Sequence, residues 1–261
     1  MLSNYLCEIN PSVLTDFDQL IVVGDIHGDY ESFQKIRSQF NPEKSYLIFL
    51  GDYADRGDRG VEVISGVQYL IRKFSNVIAL KGNHEAYKDG QPTFTPCDLI
   101  HEANAKKNGW IEYYNNELKS FINQLYLAAV IPETALFLHG GISRRIRYLK
   151  DLRQPSKQTE IDVLWSDPFE GYGEYPNSRG IGVLFGRDIS KNVCLRLDVK
   201  RIIRSHQPRK AKDKAHIEHC KRVITISSTT IYGGTPFILK LPTKHLDKAF
   251  DNIESFTEHL R

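Results

Sequence analysis

Six residues of metal-ligand type, Asp25, His27, Asp52, Asn83, His139 and His206, each stand at or just past the end of a short apolar run. The runs are LIVVGD (20–25), SYLIFLGD (45–52), NVIALKGN (76–83), ALFLHGG (135–141) and RIIRSH (201–206). Carboxylate and amide oxygens combined with imidazole nitrogens, without thiolate, suit divalent ions of intermediate hardness such as manganese, iron or zinc. Residues two apart on an extended segment point the same way, so Asp25 and His27 can reach one ion. A carboxylate such as Asp52 has two oxygens and can bridge two ions about 3.5–4 Å apart, the separation that two-metal hydrolysis uses. A lone His or Gly-Asp at a strand end is ordinarily structural or part of a turn; the weight lies in five such ends following one another.

For that chemistry to exist, the ends must converge. The apolar runs are continuous rather than alternating, which predicts strands buried on both faces, and RVITIS (222–227) reads the same way. Between the first two runs, Phe33, Ile36 and Phe40 fall at helical spacing before Asn41-Pro42; after the second, Val63, Val67, Leu70, Ile71 and Phe74 repeat the pattern. Two successive βαβ units result, an α/β arrangement in which the carboxyl ends of the strands form the rim where loops build a site. From about 85 to 130 no strand pattern occurs, and DLIHEANAKKNGWIEYYNNELKSFINQLYLAAV reads as a helical insert. With no internal repeat, Gly/Ser linker or low-complexity tract, residues 1–261 are expected to form a single domain.

Composition sets broad bounds. Of the 261 residues, 41% are hydrophobic and 26% charged, enough for an ordinary globular core. The net charge of +3 is too small to argue for nucleic acid or a membrane surface, and neither partner is expected. Cys7, Cys97, Cys194 and Cys220 form no C-x-x-C pair, which fits a reducing compartment. The first residues have no basic segment followed by an apolar one, so a cytoplasmic location is the expectation.

The motifs GDIHGD (24–29), GDYADRG (51–57), GNHE (82–85), HGG (139–141) and SHQ (205–207) resemble the signature of the phosphoprotein phosphatases. These are the metal-dependent serine/threonine phosphatases of the protein phosphatase 1, 2A and calcineurin type, within the metallophosphoesterase superfamily. LWSDP (164–168), NSRG (177–180) and SSTTIYGG (227–234) are similar to later parts of that catalytic domain, so the resemblance runs from about 20 to 240. It implies a calcineurin-like α/β (α+β) fold, a central β-sandwich of mixed sheets flanked by helices. Position by position it implies that Asp25 and His27 hold one metal, that Asp52 bridges, and that Asn83, His139 and His206 hold the second. Manganese is the first expectation for the pair, with iron or zinc as alternatives. A metal-bridging hydroxide would attack phosphorus in line, without a covalent enzyme intermediate.

The same resemblance makes His84 the general acid for a serine leaving group and Asp55 the partner that keeps it charged. Arg56 and Arg179 become phosphate clamps, since a guanidinium fork matches phosphate oxygens, and Tyr232 lines the substrate groove. Phosphorylated proteins or peptides are the implied substrates; no regulatory subunit is inferable. Asp58, Arg59 and Glu62 match no catalytic position and read as the solvated entry to a helix; Arg187 reads as surface. Asp167 is expected near the site through a hydrogen bond. The sequence departs from the family where Gly233 follows Tyr232, and where PRKAKDKAHIEHCKR, continuing past SHQ, is rich in Lys and Arg. That basic stretch, 209–222, reads either as a solvated loop or as a rim favouring acidic phosphopeptides. Two other functions compete with the phosphatase reading: another hydrolase of the superfamily, such as a symmetrical dinucleoside tetraphosphatase, and a non-catalytic scaffold for phosphorylated partners.

Overall fold

The computed structural model describes residues 5–260. Strands Gln19–Val23, Ser45–Phe49 and Val77–Ala79 run parallel, joined by helices Tyr30–Gln39 and Gly60–Lys73. Strand Phe237–Pro242 pairs antiparallel to Gln19–Val23 and carries Thr257–His259 on its far side, completing a five-stranded sheet. A second sheet of six strands has Ala135–Leu138, Arg201–Arg204 and Val223–Thr225 parallel at its centre. Ala128–Ile131 lies antiparallel beside Ala135–Leu138, with Leu6–Glu8 beyond it, and His216–Glu218 closes the other edge.

Alternate side chains of each strand go to opposite faces, and here both faces are apolar. Leu20, Val22 and Ile48 from one sheet meet Phe137, Ile203 and Ile224 from the other in a single core. On the outer face of the five-stranded sheet, Ile21, Val23, Leu47 and Phe49 pack with Phe33, Ile36, Val63 and Val67 of the two connecting helices. On the outer face of the six-stranded sheet, Leu136, Leu138 and Ile202 meet Val163 of helix Lys157–Trp165 and Val193 of helix Arg187–Leu197. The architecture is a two-sheet mixed sandwich with helices on both outer faces, as the resemblance implied.

Two parts of the sequence reading need correction. The stretch 85–130 is helical only between Leu99 and Ile122; Tyr87–Lys88 and Gln91–Pro92 form a short hairpin, and Ala128–Ile131 is a strand. Its alanines carry little strand signal, so the conformation is decided by pairing with Ala135–Leu138 rather than by propensity. Strands Leu6–Glu8, Phe237–Pro242 and Thr257–His259 were not anticipated at all. The entry to helix Gly60–Lys73 is exposed at Asp58 and Arg59 and is capped from afar: the Glu102 carboxylate accepts the Gly60 and Val61 amides at 2.8 and 2.9 Å, while Arg59 lies over the Tyr30 ring and Lys106 pairs with Glu62. This does the work a local cap would do.

The sheets are stitched together at their carboxyl ends. Asp25 forms a parallel bridge with Ser227, and the Ser228 amide donates to the Asp25 carbonyl at 3.0 Å. A few residues on, the Asp29 carboxylate caps helix Tyr30–Gln39 through the Ser32 amide and also accepts from the Thr230 amide and hydroxyl at 2.8 and 2.7 Å. Burial works against this charge, but these three donors together with the Ser32 hydroxyl at 2.8 Å outweigh it and hold the carboxyl below its usual range. Asp29→Ala is therefore expected to cost about 1–2 kcal/mol in urea denaturation, because it removes a cap and a tie between segments. A loss within error of zero would mean the tie is redundant.

Candidate metal centre and phosphate cleft

Each ligand-type residue follows the carboxyl end of a strand, and the two sheets contribute from opposite sides. Asp25 and His27 follow Gln19–Val23, Asp52 follows Ser45–Phe49, and Asn83 follows Val77–Ala79; His139 and His206 follow Ala135–Leu138 and Arg201–Arg204. The loops approach closely enough that backbone dictates residue type. Gly51 has φ +105°, and a Cβ there would lie 2.4 Å from the Gly82 amide nitrogen. That contact sets Asp52 beside Asn83. His27, Asp52, Asp55, Arg56 and His206 all occupy the left-handed region at φ 51–73°, a conformation that side-chain-bearing residues hold only when their surroundings impose it.

All six ligand-type residues are buried. Nε2 of His27 lies 3.5 Å from Oδ2 of Asp52 and 3.9 Å from Oδ2 of Asp25. Nε2 of His139 lies 3.4 Å from Oδ2 of Asp52, 2.9 Å from Oδ1 of Asn83 and 3.2 Å from Nδ1 of His206. Two clusters emerge with Asp52 in common, one with His27 and His84 and the other with His139 and His206. The tautomers are set from outside. Nδ1–H of His27 donates to the Ala54 carbonyl at 3.1 Å and that of His139 to the Leu50 carbonyl at 3.0 Å, so each Nε2 is turned inward toward the carboxylates.

The residues fit divalent ions. Oδ2 of Asp25 and Nε2 of His206 are buried without any hydrogen-bond partner, and a cation would satisfy both. Burial holds His27 below the usual imidazole range and, with His139 nearby, takes His206 well below it, so both favour the neutral, ligating form. Burial alone would push the Asp52 carboxyl up, but His139 and His84 hold it well below its usual range. His139 shows the reverse balance: desolvation disfavours its charge, yet Asp52 and Asp25 raise it to about 9. A cation bound there would replace that proton.

His84 adjoins the first cluster, but its Nδ1 is taken by Oδ2 of Asp55 at 2.7 Å. Burial opposes the imidazolium; Asp52 and Asp55 outweigh burial and raise the pKa. Asp55 is itself fixed by the Leu99 amide at 2.8 Å. Above these residues a cleft of about 390 Å³ is lined by His27, Asp52, Asn83, His84 and His206 at its base, and by Arg56, Arg179 and Tyr232 along its walls. Of the eleven site residues singled out in the sequence, eight line the cleft, and Asp25, Asp55 and His139 lie buried beneath its surface.

The chain belongs to the calcineurin-like phosphoesterase family. The family pattern matches residues 19–210, covering every ligand-type residue. The chain is 32% identical over 249 residues to Serine/threonine-protein phosphatase PP1-delta of Caenorhabditis elegans, a match covering 88% of this chain and 73% of that protein. It is 31% identical over 221 residues to Serine/threonine-protein phosphatase C23G10.1 of the same organism, covering 81% of this chain and 47% of the relative. Among solved structures, a protein serine/threonine phosphatase from Saccharomyces cerevisiae superposes with a TM-score of 0.73 at 23% identity, over 93% of this chain and 78% of the other. That likeness establishes the calcineurin-like phosphoesterase fold.

Several supporting residues were not identified from sequence. The Glu85 carboxylate accepts amides of Asp52, Tyr53 and Gly82 at 2.9, 3.1 and 2.9 Å, binding two ligand loops together; burial and then the charge of Asp52 push its pKa up to about 7. Ser205 bonds the Asp25 carboxylate. The fully buried Arg204 donates to Oδ1 of Asp167 at 3.0 Å, and Oδ2 of the same carboxylate accepts from Nε of Arg179 at 3.0 Å. Asp167 is thus a hinge-pin between a buried guanidinium and a cleft guanidinium. Arg204 alone had a legible signal, a charge inside the apolar run RIIR.

Although burial disfavours its charge, Asp167 titrates at about 2 because Arg204, then His206 and Arg179, stabilise the carboxylate. The folded value lies below the unfolded one, about 3.9. The ion pair therefore stabilises the fold above that pH and loses its contribution as pH falls toward 2. Asp167→Asn should be less stable than wild type at pH 5, and the gap should narrow by about 1 kcal/mol by pH 3. A pH-independent gap would show that the pair does not govern acid stability.

Proposed function

We propose that this chain is a metal-dependent serine/threonine protein phosphatase hydrolysing phosphomonoesters of proteins. The observation that carries the reading is the hydrogen-bonded His84–Asp55 pair set beside the ligand cluster, at a cleft that also holds Arg56 and Arg179. Relatives bearing that activity in their names, at 31–32% identity, support it. No residue in the set that the resemblance requires has been replaced.

Asp25 and His27 would hold one ion and Asn83, His139 and His206 a second, with Asp52 shared; manganese suits this oxygen-and-imidazole set, with iron or zinc as alternatives. When bound, such a pair would supply an acidified water and neutralise charge on phosphoryl oxygens. The remaining tasks fall to the chain itself. Arg56, steadied by Asp98 at 3.4 Å and the Pro96 carbonyl at 3.0 Å, and Arg179, steadied by Asp167, bind the phosphoryl oxygens. Charged His84 gives its Nε2 proton to the departing serine or threonine oxygen, and Asp55 stabilises the imidazolium until then. Tyr232, edge-on to His27 with ring centroids 5.4 Å apart, bounds the leaving-group side.

His84→Asn is expected to lower kcat on a phosphoserine peptide about 10²- to 10⁴-fold, with the bound metal, measured by elemental analysis, unchanged. Undiminished turnover would remove His84 as the acid, and loss of metal would make it a ligand. Chelation should abolish turnover of phosphoserine and phosphothreonine peptides, and manganese should restore it. Chelator-resistant turnover would contradict the metal requirement.

A further inference from the structure

The basic stretch after His206 is not one surface. Pro208, Ala211 and Ala215 are buried, the alanines in the core between the sheets, and His216–Glu218 is an edge strand. The segment is also tied to the loop bearing Tyr232: the Asp213 carboxylate accepts the Thr235 amide at 3.0 Å, and a Cβ on Gly234 would lie 2.5 Å from the Lys212 carbonyl oxygen. This anchoring sorts its cations. Arg209 and Lys210 line the cleft, whereas Lys212 and Lys214 are exposed and do not. Arg209 differs further from the other cleft cations. Arg56, Arg179 and Lys210 each have a carboxylate within 4 Å, from Asp98, Asp167 and Glu218, while Arg209 has none among the described residues. Its guanidinium instead lies 5.7 Å from the Tyr232 ring centroid. The cleft therefore presents two guanidiniums already balanced by carboxylates and, on the wall by Tyr232, an exposed one without a carboxylate partner among the described residues. Asp52, at the base, is the one carboxylate residue in the lining.

We propose that Arg209, with Lys210 beside it, selects phosphorylated peptides that carry a carboxylate next to the phosphorylated residue. The inference rests on the phosphatase reading above and adds to it the class of substrate. An acidic side chain adjoining the phosphoserine would reach past the phosphate clamps and meet a guanidinium on the cleft rim, where a fork-shaped donor pairs well with carboxylate. The Glu218 partner of Lys210 leaves that amine as the lesser contributor.

The test compares two phosphoserine peptides that differ only in Glu or Gln at the positions flanking the phosphoserine, with the manganese-loaded protein. Wild type should favour the acidic peptide about five-fold in kcat/KM, the size expected of one exposed pair in a favourable setting, and the preference should shrink as salt rises. Arg209→Glu should bring the ratio to one or below, while Lys212→Glu, outside the cleft, should leave it unchanged. Equal kcat/KM for the two peptides in wild type, or a ratio that Arg209→Glu does not alter, overturns the inference. Fluorescence anisotropy with the same peptides separates the two readings. If neither peptide is hydrolysed but the acidic one binds more tightly in an Arg209-dependent way, the phosphatase reading fails and the selectivity stands. If neither peptide is hydrolysed and their Kd values are equal, the selectivity falls as well.

Discussion

Two carboxylates and three imidazoles sit together, almost wholly buried, at the crest where two β-sheets meet. Such a group is costly: each buried polar atom loses its hydration, and Asp25 and Asp52 repel one another unless positive charge lies between them. In the protein alone, a proton on His139 supplies part of that charge, while Oδ2 of Asp25 and Nε2 of His206 remain without partners. The rest of the architecture follows from accommodating this arrangement. Parallel strands bring their carboxyl ends to one rim, the Gly51–Gly82 approach brings two loops into contact, and five residues of the site adopt left-handed backbone conformations. The large hydrophobic core on three levels is what holds those conformations in place.

Around the ligand-type residues, nearly every side chain that could act on a substrate is oriented by a buried or partly buried neighbour. Asp55 fixes His84, and Leu99, at the start of a distant helix, fixes Asp55. Arg204 fixes Asp167, which orients Arg179. Glu85 holds three amides of two ligand loops. These contacts fix geometry before a substrate arrives, which matters most for reactions that depend on aligning charges rather than on covalent intermediates. Arg209 stands outside this pattern, since its exposed guanidinium has no carboxylate partner among the described residues and lies 5.7 Å from the Tyr232 ring centroid.

The site was more legible in the sequence than the sheets that carry it. Apolar runs that stop at Asp25, Asp52, Asn83, His139 and His206 announce both a strand and its chemistry, because a ligand-type residue stands at or just beyond the boundary. Ala128–Ile131 gave no comparable signal: it follows a helix without a marked break, and its alanines carry little strand propensity, although its antiparallel partner Ala135–Leu138 is only three residues on. Phe237–Pro242 alternates with Lys240 and ends in proline, and its place beside Gln19–Val23 is set by a contact more than 200 residues away in the chain. Glu85, Glu102 and Ser205 act through backbone amides or a neighbouring carboxylate that only the folded loops bring near. Spacing cannot disclose partners of that kind. The Lys- and Arg-rich stretch after His206 illustrates the same limit, since composition treats its cations alike and burial of Ala211 and Ala215 separates them.

The central claim is that the buried cluster is a two-ion site organised about Asp52. Anomalous diffraction from crystals grown with manganese tests it directly. Two peaks about 3.5–4 Å apart, with Asp52 between them, Asp25 and His27 on one side and Asn83, His139 and His206 on the other, are predicted. A single peak, or peaks that do not share Asp52, would contradict it.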